Sequence, residues 1–107
     1  ILILRLISNS KNQLSPSEQA ISLLSQTCKG FCKPIITYIP NSNYWSPNKG
    51  SQIYKNKLKK FAIEYKVKFL DGEEVIDKDN IYDYAPIGSH LSIDGYKKIA
   101  DLIEKNL

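Results

Sequence analysis

Three short apolar runs, separated by stretches with helical periodicity, restrict this chain to layered α/β arrangements. Residues 1–7 are apolar at every position except Arg5. A continuous run of that kind, rather than an alternating one, suits a strand covered on both faces, as in a parallel sheet. Residues 34–40 form the second run. Its interior is β-branched at Ile35, Ile36 and Thr37, and its prolines stand at the two ends, where a missing N–H costs least. The third run is Val67-Lys68-Phe69-Leu70, closed by an Asp71-Gly72 turn.

The intervening segments read as helices. Ser15-Pro16-Ser17-Glu18 combines a capping serine, a first-turn proline and an acid three residues on, the pattern of a capping box. Ala20, Ile21, Leu24 and Cys28 continue it as a helical stripe, which Gly30 ends. Residues 51–65 form a second helix, with Tyr54, Leu58, Phe61, Ala62 and Tyr65 facing inward and lysines outward. Residues 93–107 form the last, with Tyr96, Ile99, Ala100, Ile103 and Leu107 on its inner face.

Between the third strand and this helix lies a long loop, residues 73–92, with a helical turn expected near residues 73–76. A loop of that length in a compact domain is more often functional than idle.

The order βαβαβ, loop, helix predicts a single α/β domain over residues 1–107. Its parallel sheet is of three-layer type, with helices packed on it and right-handed crossovers. Three short strands make a thin core for 107 residues, and the first strand needs cover on both faces. The chain has no methionine and opens inside a strand, so it reads as the C-terminal part of a larger domain. In such folds, sites form beyond the carboxyl ends of the strands. That edge here comprises residues 8–12, 41–50 and 71–92. The second of these segments carries Tyr44 and Trp45, which either line a substrate pocket or lid the core.

Charge excludes little but points away from nucleic acid. The net charge is +4, and fourteen of the fifteen cations are lysines spread along helices, the pattern of a solvated face. Nucleic-acid binding would call for arginine, or for basic residues interleaved with aromatics. No run approaches the ~18 apolar residues of a membrane span. Cys28 and Cys32 are spaced C-x3-C. That spacing is not a C-x-x-C redox motif, and one histidine cannot complete a four-ligand zinc site. The pair is either two half-buried thiols or a disulfide, and leaves the compartment open.

The only histidine, His90, falls at the expected active edge, just before the last helix. An imidazole there can act as a general base near neutral pH. Nucleophilic catalysis would require a nucleophile and an orienting group beside it. The chain has no G-x-S-x-G elbow and no glycine-rich phosphate loop.

The stretch His90-Leu91-Ser92-Ile93-Asp94-Gly95-Tyr96-Lys97-Lys98-Ile99-Ala100 resembles the C-terminal signature of the SGNH, or GDSL-type, hydrolases. In that family a catalytic histidine precedes a small polar residue, a glycine and a helix of the form Gly-aromatic-x-x-Ile-Ala. The similarity covers residues 15–107, and the histidine motif carries it. It implies a fragment of a flavodoxin-like SGNH fold. It also implies an esterase, acyl hydrolase or O-acyltransferase acting on a small-molecule, carbohydrate or lipid ester, with no metal or organic cofactor.

By position, His90 matches the family's general base. The family's acid stands three residues before the histidine, where this chain has Ile87. Asp83 is the nearest upstream carboxylate and takes that role if the loop folds back. Otherwise a backbone carbonyl orients the ring, or the unit is a Ser–His dyad. The nucleophile's Gly-Asp-Ser stretch is absent, so catalysis would need the upstream part of the same protein, and this chain alone is expected to be inactive. Asn9, after the first strand, matches an oxyanion-binding asparagine in position, although its neighbours Ile7 and Ser10 depart from the family's pattern. Two alternatives stand beside this reading: a non-catalytic binding or assembly module of the same ancestry, and an unrelated flavodoxin-like module.

Overall fold

The computed structural model describes residues 14–44, 51–88 and 90–107. The expected first strand, Asn9 and Trp45 lie outside the described residues. Within them the fold is mixed α/β, with three helices and a two-stranded parallel sheet.

Helix α1 spans Pro16–Cys28. Ser15 caps it as expected, its Oγ accepting from Glu18 N at 3.2 Å, and Pro16 sits at its start. The reciprocal half of the capping box does not form. The Glu18 carboxylate instead accepts from the Tyr65 hydroxyl at 2.9 Å, which ties α1 to the end of the next helix. Ser25 Oγ donates to Tyr65 O at 2.7 Å and reinforces that joint.

Strand β1 is Ile35–Tyr38 and β2 is Lys68–Asp71, paired in register from Ile35 with Lys68 to Tyr38 with Asp71. Helix α2, Ser51–Glu64, connects them, and α3 is Ile93–Lys105. The helix after β1 supplies the long crossover that a parallel pair requires.

Alternation along the strands divides the residues between two faces. Ile36, Tyr38, Phe69 and Asp71 share one. Ile36 and Phe69 pack there against a buried cluster of Ile21, Ala62 and Val67 from α1, α2 and the turn into β2. On the other face, Lys68 Nζ donates to Asn106 O at 2.6 Å, just past the end of α3. A second cluster, Ile76, Tyr84, Leu91 and Ile99, packs the long loop against α3.

Two helix faces differ from the sequence expectation. In α3 the buried positions are Gly95, Ile99 and Leu102, while Tyr96, Ala100 and Leu107, expected inside, are exposed. The inward stripe is rotated by one residue because Gly95 presents bare backbone to the loop. In α2, Tyr54 is half-exposed and Lys55 takes the inner position beside Leu58 and Ala62. The C-x3-C pair resolves as a Cys28–Cys32 disulfide closing the turn after α1. Cys28 O accepts from Phe31 N and Cys32 N in the same turn, and Gly30 supplies its positive φ of 89°.

Candidate functional site

The long loop crosses the carboxyl ends of both strands. It begins with a 3-10 turn, Gly72–Glu74, capped by Asp71, whose Oδ1 accepts from Glu73 N at 2.9 Å. A Cβ on Gly72 would collide with Tyr38 O, so only glycine lets the chain pass this close to the end of β1. Further along, Tyr84 Oη donates to Pro40 O at 2.8 Å. Asn43 N donates to Lys78 O at 3.0 Å, and Asn43 Nδ2 to Asp79 Oδ1 at 2.8 Å. The segments after the two strands are therefore bonded into one rim, as the α/β pattern led one to expect.

On this rim residues 83–85 and 90–92 pair as the two arms of a hairpin. Tyr84 pairs antiparallel with Leu91, Ala85 N donates to His90 O at 2.8 Å, and Ser92 N donates to Asp83 O at 2.9 Å. Ser92 then caps α3, accepting from Gly95 N at 3.0 Å, while its own hydroxyl donates to Tyr82 O at 2.6 Å. His90 is fixed at the backbone two residues before a helix cap. Its side chain is exposed, and its ring makes no hydrogen bond to a described residue. Ile87, in the position where an acid was expected, is exposed at the hairpin tip.

Asp83 is 1% exposed. Its Oδ1 lies 2.6 Å from Lys98 Nζ, and its Oδ2 accepts from Asp77 N at 3.2 Å. These bonds tie the 77–83 turn to α3. The carboxylate makes no hydrogen bond to His90, so the structure connects the two residues through the hairpin backbone and not through an acid–imidazole contact. Of the residues matched to substrate binding, Tyr44 stands exposed on the rim.

Burial pushes the Tyr84 phenol up to about 12, with the Asp83 charge adding to the effect. A folded-state value above the unfolded one means that this group stabilises the fold below about pH 10, and that the contribution is lost as pH rises through about 12. Ultraviolet titration of phenolate absorbance should therefore show a tyrosine ionising at about 12 that disappears in Tyr84→Phe, while Tyr65, raised by its bond to Glu18, is left in place. The same variant leaves Pro40 O without its donor and should lose about 1–3 kcal/mol of stability in urea.

The feature that sequence reasoning missed is Lys55. The lysines of α2 read as its solvated face, yet Lys55 is 8% exposed. Its Nζ lies 2.9 Å from Asp71 Oδ2 and 2.8 Å from Glu73 Oε2, and 5.8 Å from the centre of the Tyr38 ring. Burial pulls its pKa down, but the bonds it donates to Glu73 and Asp71 outweigh that and leave it raised. Glu73 responds in the opposite sense: its bond from Lys55 holds it below the ordinary carboxylate range, against the effect of burial and with help from Lys78. A usable signal was present, since Lys55 shares the spacing of Leu58 and Ala62 (i, i+3, i+7).

Among the described residues, no set of three or more His, Cys, Asp or Glu side chains is placed to hold a metal ion. No described helix is long and apolar enough to cross a membrane. No family model, curated protein or solved structure matches the chain.

Proposed function

We propose that the chain is the C-terminal part of an SGNH-type ester hydrolase or O-acyltransferase with a three-layer, flavodoxin-like parallel α/β fold. His90 is its general base. The observation that carries this reading is the placement of His90. The only histidine of the chain sits on a backbone-paired hairpin at the carboxyl edge of a parallel sheet, directly before the cap of the last helix, with its ring unencumbered.

In this mechanism the imidazole removes a proton from a serine hydroxyl contributed by the rest of the same protein. The serine oxygen attacks an ester carbonyl, and the imidazolium returns the proton to the leaving alcohol. Water or an acceptor hydroxyl, deprotonated by the same ring, then releases the acyl group from the serine. Asn9 is assigned to the oxyanion, and Tyr44 and Trp45 to the substrate. Because the Asp83 carboxylate is held by Lys98, the ring is oriented by backbone or works in a Ser–His dyad.

One observation favours the non-catalytic alternative. The nearest acid is committed to a structural ion pair, and Ile87 stands where an acid would be. The two readings separate in the full-length protein. His90→Ala should lower turnover of p-nitrophenyl acetate by about 10²- to 10⁴-fold with an unchanged circular dichroism spectrum. Unchanged turnover removes His90 from the chemistry. No serine-dependent turnover in the parent protein leaves the binding-module reading.

A further inference from the structure

Beside the His90 hairpin lies a groove of about 530 Å³, within the range of small-ligand sites. The segment after β1 contributes Ser42 and Tyr44; the long loop contributes Ile81, Tyr82 and Pro86; and Ser92 closes one end at the cap of α3. Among the described residues, no Asp, Glu, Lys or Arg lines it, although 24% of the chain is charged. A second groove on the same loop, lined by residues 73–79, contains Glu73, Glu74, Asp77 and Asp79. The rim therefore carries a neutral site and an acidic one side by side.

The neutral groove is built rather than incidental. Its two contributing segments are joined by the Tyr84–Pro40 bond and by both bonds from Asn43. Its Ser92 is fixed by Gly95 N and Tyr82 O. Within this fixed frame, Tyr44 and Tyr82 are 76% and 77% exposed. The Tyr82 hydroxyl has no hydrogen-bond partner among the described residues. Two exposed tyrosines on this groove offer flat apolar faces ending in hydroxyls.

We infer that this groove binds an uncharged carbohydrate, with a pyranose ring laid on Tyr82. A sugar ring presents one flat C–H face for the aromatic ring and an equatorial fringe of hydroxyls within reach of the Tyr82 hydroxyl. An acyl chain would offer that hydroxyl no partner. An anionic ligand would find no cation among the described residues of the groove walls, and on the neighbouring one Lys78 against four carboxylates. The inference concerns binding alone and stands whether or not His90 is catalytic.

Calorimetric titration of the full-length protein tests it without reference to turnover. The probes are uncharged tetrasaccharides of glucose, xylose, galactose and N-acetylglucosamine, with octanoate as the acyl-chain probe. At least one tetrasaccharide should bind saturably. Tyr82→Ala should weaken it about tenfold or more, while Tyr82→Phe, which keeps the ring, should stay within about threefold. Tyr82 is exposed, so neither change threatens the fold. Absence of saturable binding by all four sugars overturns the inference. So does binding indifferent to Tyr82→Ala, or octanoate as the one ligand that depends on Tyr82.

Discussion

Replacing Lys55 by methionine should destabilise the fold by about 3 kcal/mol at neutral pH, well above the cost of an ordinary surface lysine. Methionine nearly matches the volume of the aliphatic stem, so the loss is electrostatic rather than steric. Asp71 would remain partly buried without its cation and Glu73 with Lys78 alone, and an uncompensated carboxylate costs more than the pair itself contributes. Their exposures, 27% and 21%, place the expected value at the low end of the range for fully buried pairs.

The pH dependence separates this cause from a packing defect. Glu73 is held below its ordinary pKa in the fold, so its contribution is present above the unfolded value and lost as pH falls through the folded one. The deficit of Lys55→Met should therefore be largest at neutral pH and should shrink as pH falls through the lowered folded value of Glu73. Urea denaturation across that range measures it. A deficit independent of pH would assign Lys55 to packing. Adding Asp71→Asn and Glu73→Gln to Lys55→Met should recover part of the loss at neutral pH, since no buried charge is then left alone.

Lys55 also shows how far local pattern carries. Both described strands, the three described helices and the cap at Ser15 follow from signals that span a few residues: β-branched runs, helical stripes, and a serine before a periodic segment. Lys55 reads as solvent-facing because charge usually is. What places it inside is Asp71, sixteen residues away at the end of a strand, and no local window holds both. The same limit governs the site. The position of His90 at the strand edge was legible from the order of elements. The partner of Asp83 was not, because Lys98 lies fifteen residues on and belongs to a helix whose orientation only the packing determines. Gly95 was read as part of a motif, and its physical role became visible only when the loop was seen lying against it.

That role supports the second large prediction. Gly95→Ala should cost about 3 kcal/mol, although glycine to alanine inside a helix ordinarily gains about 1 kcal/mol. An added Cβ would strike the Asp83 carbonyl and press on the Leu91 side chain. That carbonyl is the acceptor for Ser92 N, so the clash falls on the bond that closes the hairpin carrying His90. Relief requires α3 and residues 83–92 to separate, which would also lengthen the Lys98–Asp83 pair and expose the Tyr84–Leu91 contact. The phenol of Tyr84 should then ionise earlier than about 12, giving a spectroscopic reading of the displaced hairpin in addition to the fall in stability. Lys97→Ala, on the exposed face of the same helix, is the matched control and should stay within about 0.5 kcal/mol of the parent. If Gly95→Ala proved as stable as that control, the close approach of the loop to α3 would be wrong, and with it the rigid placement of His90.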